Sequence, residues 1–220
     1  MLSLTMDSNQ QLPVLSSEEQ RVLGALIEKS RTTPDYYPMS LNGLQAACNQ
    51  KTSRSPIVQF DEETVILTLN SLKIKGLVST ATGGSGRVVK YKHNLAIVYP
   101  LIPAELALIC LLLLRGPLTP GELNSNSARL YEFDTIEEVQ GTLQSLSEKE
   151  PPFVKALERR AGQKEVRYIH LLGDSPEDIP NEALIPNSAS NNELSNRVSI
   201  LEKELAELKE AFNKLMAELS

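Results

Sequence analysis

Residues 61–93 read DEETVILTLNSLKIKGLVSTATGGSGRVVKYKH, and the fold turns on how that stretch is parsed. Asp61 is a residue type that caps helix N-termini, and Glu62 and Glu63 place negative charge where the helix dipole favours it. Val65, Leu69 and Leu72 recur at i, i+4 and i+7 and form one apolar stripe. Gly76 stands where a helix end favours positive φ. Leu77 to Thr82 then reads as a strand, Gly83-Gly84-Ser85-Gly86 as a turn, and Arg87 to His93 as a second strand. Helix, glycine stop and two-stranded ribbon make up the back half of a winged-helix domain.

The same pattern occurs twice. Val65, Thr68, Leu69, Ser71 and Leu72 reappear, 74 residues on, as Val139, Thr142, Leu143, Ser145 and Leu146. Val89-Lys90-Tyr91-Lys92-His93 reappears, 77 residues on, as Val166-Arg167-Tyr168-Ile169-His170. Upstream, Leu15 to Lys29 resembles Leu101 to Arg115, and Thr33-Pro34 resembles Thr119-Pro120. A period of this length is a whole small domain, not a solenoid unit. The predicted class is α+β, with two tandem winged-helix (helix-turn-helix) domains and a C-terminal coiled-coil helix. Residues 15–99 form the first domain and 100–172 the second, with 173–192 a linker and 193–220 the coiled coil.

Outside those domains the pattern is different. Residues 1–14 are polar and unpatterned, and disorder is expected there. Residues 173–192 carry Pro176, Pro180 and Pro186 with no periodicity, as a linker does. Beyond it, Val198, Leu205, Phe212 and Leu219 occupy heptad position a, and Leu194, Leu201, Leu208 and Leu215 position d. This stripe predicts a homodimer through a parallel pair of helices. One amphipathic helix folded back on the body is the alternative.

The net charge of −6 is unevenly spread. Residues 15–99 hold 10 Lys/Arg against 7 Asp/Glu, residues 100–172 hold 8 against 10, and residues 173–220 hold 4 against 10. The first domain is the basic part and the tail the acidic part, which bears on partners and not on fold. No apolar run approaches the roughly 20 residues of a membrane span, and no secretory signal pattern opens the chain. A cytoplasmic protein without membrane contact is the expectation. Cys48 and Cys110 lie in apolar helical runs and read as small buried hydrophobes.

Candidate chemistry is sparse. His93 and His170, the only histidines, share one repeat position and lack convergent partners at metal or catalytic spacing. They read as a duplicated scaffold residue. No phosphate-binding glycine motif or serine elbow stands out, so no catalytic, cofactor or metal residues are assigned. Nucleic-acid binding is the sharper hypothesis. The connection from Asn49 to Pro56 is long for a helix-turn-helix, and long loops in compact domains tend to be functional or disordered. Lys51 and Arg54 sit in it, Lys73 and Lys75 end the third helix, and Arg87, Lys90 and Lys92 lie in the ribbon. These seven are the candidate phosphate contacts. Against them, the helix that would enter the groove opens on Asp61-Glu62-Glu63, and its twin carries Asp134, Glu137 and Glu138. A typical groove reader does not begin so.

Three stretches also carry a resemblance. Ala47-Cys48-Asn49-Gln50-Lys51-Thr52-Ser53-Arg54-Ser55-Pro56, Leu114-Arg115-Gly116-Pro117-Leu118-Thr119-Pro120-Gly121-Glu122-Leu123 and Arg129-Leu130-Tyr131-Glu132-Phe133 resemble the YceH family. That is a bacterial family of unknown function with tandem winged-helix domains. The resemblance implies the tandem fold and carries over no activity and no site residues. The sequence announces no ligand-bearing cleft, so a non-enzymatic function is expected. The first reading is a DNA-binding, regulator-like homodimer on duplex DNA. The alternative is a docking module for a protein partner without DNA contact.

Overall fold

The structure is a computed structural model and describes residues 11–81, 88–158 and 165–173. The glycine turn at 83–86, residues 174–192 of the linker and the heptad segment lie outside the described residues. The expected α+β class holds: helices dominate, with two small antiparallel sheets. Among the described residues, no helix is long and apolar enough to cross a membrane.

Helix α1 spans Ser17–Thr32, opened by a capping box in which Ser16 Oγ accepts from Glu19 N and Glu19 Oε2 accepts from Ser16 N. Strand β1 is only Met39–Ser40, and Ser40 then caps α2, Leu41–Cys48. Helix α3 covers Glu62–Ile74 with Asp61 Oδ1 accepting from Thr64 N at 2.8 Å. Gly76 has φ +73, the left-handed conformation that terminates the helix. Strands β2, Val78–Ala81, and β3, Lys90–His93, are shorter than the residue pattern predicts. The three strands run β1-β3-β2, pairing Met39 and Thr80 with Tyr91 and Val78 with His93. A short helix α4, Leu95–Val98, leads into α5, Pro103–Arg115.

Helices α6, Pro120–Ser127, and α7, Ile136–Glu148, follow, and then strands β4, Val154–Ala156, and β5, Tyr168–His170. Thr135, not Asp134, caps α7. Two adjacent residues can both cap, and here the threonine oxygen accepts from Glu138 N, while Asp134 N donates to the Glu138 carboxylate.

Matching contacts recur at the repeat spacings. Glu19 is buried and accepts from Ser16 N, Ser71 Oγ at 2.7 Å and Lys75 Nζ at 2.5 Å. Glu105 is equally buried, accepts from Ile102 N at 3.0 Å and Ser145 Oγ at 3.1 Å, and forms an ion pair with Lys149 Nζ at 3.1 Å. A carboxylate shut away from water requires such partners. Likewise Met39 faces Tyr91, and Leu118 bridges to Tyr168.

One continuous apolar core runs through both halves. Helix α5 explains why: Ala104 to Leu114 are all buried, because the helix packs on α1 on one side and on α6, α7 and β5 on others. Gly24 lets α1 approach closely; a Cβ there would lie 2.9 Å from the Leu114 side chain. The Cys110 thiol donates to the Gly24 carbonyl at 3.4 Å, and Cys48 and Cys110 are both fully buried. The halves are also stitched at their ends, where Leu15 N donates to Leu172 O at 3.0 Å. Leu12 packs against the core, so residues 11–14 depart from the disorder expected of 1–14.

Candidate nucleic-acid interface

Of the seven cations proposed for phosphate contact, six lie among the described residues, and those six do not share one exposed surface. Arg54 is a correction: its guanidinium is buried, and the whole residue is 7% exposed. Nη1 and Nη2 donate to the two oxygens of Glu28 at 3.0 and 2.6 Å, and Nε and Nη2 donate to the Ala47 carbonyl at 3.3 and 3.0 Å. Gln50 Oε1 and the Ser53 carbonyl accept from it as well. No donor is left for phosphate. The Glu28 carboxyl loses solvation by burial, yet the Arg54 guanidinium holds it below the usual carboxylate range.

Arg21, buried beside it, is a residue the pattern reading missed. It donates to Cys48 O at 3.1 Å and Pro56 O at 2.5 Å. Two guanidiniums from below, with Asn49 bridging to Phe60 N and O and Ser55 N donating to Leu114 O, pin the long connection as an ordered loop. Its rim, Lys51 to Ser53, faces water, as do Ser55 and Pro56, while Arg54 between them is buried.

Lys75 is likewise committed. Its ammonium holds Glu19 and donates to Val14 O at 2.8 Å. Burial pushes the Glu19 carboxyl up, but Lys75, Ser71 and the Ser16 amide together lower it. Lys73 lies 5.3 Å from the Tyr91 ring centroid and 3.3 Å from Asn70 Oδ1. Lys51, Lys90 and Lys92 are exposed, the last two on the sheet face opposite Tyr91 and His93. Arg87 lies outside the described residues, as do the dimerisation candidates Leu194 to Leu219.

The outward face of α3 has a different character. Glu62 and Glu63 begin it, and Ile66, Leu67, Asn70 and Ile74 continue it. Leu67 is 62% exposed and Ile74 88%. A signal for this was present: three apolar residues of α3 fall off its Val65-Leu69-Leu72 stripe. Helix α7 contains neither Lys nor Arg. Beside it a cleft of about 650 Å³ is lined by Glu137, Gln140, Gln144 and Glu165.

The histidines sit at matched places, His93 opposite Val78 and His170 opposite Val154. Burial drives both imidazoles down to about 4, so each is neutral at pH 7. Burial pushes the Cys48 thiol up to about 12 and raises Cys110 too, far from a reactive thiolate.

A family model described as "Protein of unknown function, DUF480" matches residues 15–163. A UPF0502 protein of Pectobacterium carotovorum is 46% identical over 209 residues, 92% of this chain and 98% of that protein. One from Opitutus terrae is 51% identical over 165 residues, 74% of this chain and 72% of its own length. Another from Shewanella piezotolerans is 45% identical over 204 residues, 89% of this chain and 94% of its own. Matched over most of its length on both measures, the chain belongs to the DUF480, or UPF0502, family of bacterial proteins of unknown function.

Proposed function

We propose that the chain is a tandem winged-helix protein that acts by docking a protein partner on the outward face of α3, without catalysis of its own. The recurrence of the Glu-Ser-Lys contact set and of the ribbon pairing supports two copies of one fold. The observation that carries the docking reading is the α3 face itself. Ile66, Leu67 and Ile74 lie exposed in line beyond an acidic first turn. Phosphate is repelled by that turn and gains nothing from the apolar residues, whereas both suit a protein segment. The matching partner is an amphipathic helix whose apolar stripe is flanked by Lys or Arg.

A designed leucine–lysine amphipathic peptide is the probe. The full chain should bind it saturably, and Leu67→Asp with Ile74→Asp should abolish binding while changing stability by no more than about 0.5 kcal/mol. A peptide with glutamate in place of lysine should not bind. Equal binding of both peptides, or binding untouched by the double substitution, sinks the docking reading.

Direct DNA binding is the second reading, favoured by the exposure of Lys51, Lys90 and Lys92. Salt-sensitive binding to duplex DNA that is lost in Lys90→Gln with Lys92→Gln, and kept in the α3 variant, would favour it over docking. In either case the heptad from Leu194 to Leu219 would pair two chains. Light scattering on a chain ending at Gly173 should report a monomer, and a persistent dimer would remove that role.

A further inference from the structure

The three stretches that carry the family resemblance are distant in sequence, yet they meet. The rim of the long loop, the C-terminal end of α5 and the residues just after α6 line one cleft of about 450 Å³, closed on its third side by α1. That volume falls within the range of small-molecule sites. Lys29 comes from α1, Lys51 from the loop, Arg115 from α5 and Arg129 from beyond α6. The one carboxylate among the lining residues, Glu28, is already held by Arg54, with Lys29 at 3.5 Å.

Arg115 is the telling member. It ends an apolar helix, and its Nε is buried without a hydrogen-bond partner among the described residues. Ser53, also lining the cleft, has φ +61, a left-handed conformation that a non-glycine residue rarely adopts. Leu111, Leu114 and Leu130 supply an apolar wall.

We infer that this cleft binds a small organic phosphate of about mononucleotide size, clamped by Arg115, Arg129 and Lys51, with its organic part against the leucine wall. Two guanidiniums offer forked donors that match phosphate oxygens. The excess of cations suits a ligand carrying two or more negative charges.

Calorimetry on the full chain at low salt tests this, with pyrophosphate, ADP and glucose 6-phosphate as probes. Saturable binding of ADP is expected, weakened about tenfold or more by Lys51→Gln with Arg129→Gln. Both side chains are exposed, so this variant keeps its fold. Arg115→Gln should weaken binding further. ADP binding more tightly than pyrophosphate and glucose 6-phosphate assigns the site to mononucleotides. Equal binding of ADP and glucose 6-phosphate assigns it to the phosphate group alone. No saturable heat from any probe at millimolar concentration, or an unchanged affinity in the variant, overturns the inference. So does displacement of ADP by duplex DNA when the variant loses both ligands, since the cleft would then belong to a nucleic-acid surface.

Discussion

Replacing Arg54 with methionine is expected to lower the unfolding free energy by about 3–5 kcal/mol, the usual cost of stranding one partner of a buried ion pair. Methionine fills much of the volume, so the loss is mainly electrostatic. Glu28 would remain largely enclosed without its guanidinium, and the Ala47 carbonyl would lose two donors. The loop would then rest on Arg21, Asn49 and Ser55. Urea denaturation measures the effect, with Lys51→Ala as the control expected to stay within about 0.5 kcal/mol. Adding Glu28→Gln to Arg54→Met should recover part of the loss, because the two sites share one interaction. A loss under about 1 kcal/mol for Arg54→Met would show that the pair does not hold the loop.

Acid should destabilise the protein well above the carboxylate range. Both histidines are held neutral in the fold, down to about 4 from an ordinary 6.5. Between those values the unfolded chain binds protons that the folded chain refuses, so stability falls as pH falls. The contribution is complete above about pH 6.5 and is lost progressively toward pH 4, on the order of a few kcal/mol per histidine. The carboxyls of Glu19 and Glu28 are shifted below their ordinary 4.5, so their share is lost below that value and the sign is the same. Urea midpoints at pH 7, 6 and 5 read the slope. His93→Gln with His170→Gln should flatten it across that window, whatever the substitutions do to stability at pH 7. A slope that survives both changes would place the acid sensitivity elsewhere.

Much of the architecture was legible before any coordinates. The helices follow from apolar spacing and capping chemistry, which are local: Ser16 with Glu19, Asp61 with Thr64, Gly76 at a chain reversal. The repeated Ser71 and Ser145, at one offset, foreshadowed the matched contacts to Glu19 and Glu105.

The fate of the charges was not legible. Arg54 and Lys51 look alike in a polar loop, but one is buried and the other faces water. The difference lies in Glu28, 26 positions away along the chain. Lys75 was claimed by Glu19 across 56 positions in the same manner. Burial and pairing depend on which distant groups arrive together, and residue spacing along one helix carries no record of that. The same holds for the cleft: Lys51, Arg115 and Arg129 belong to different elements, and only the packing of α1 against α5 gathers them around one space.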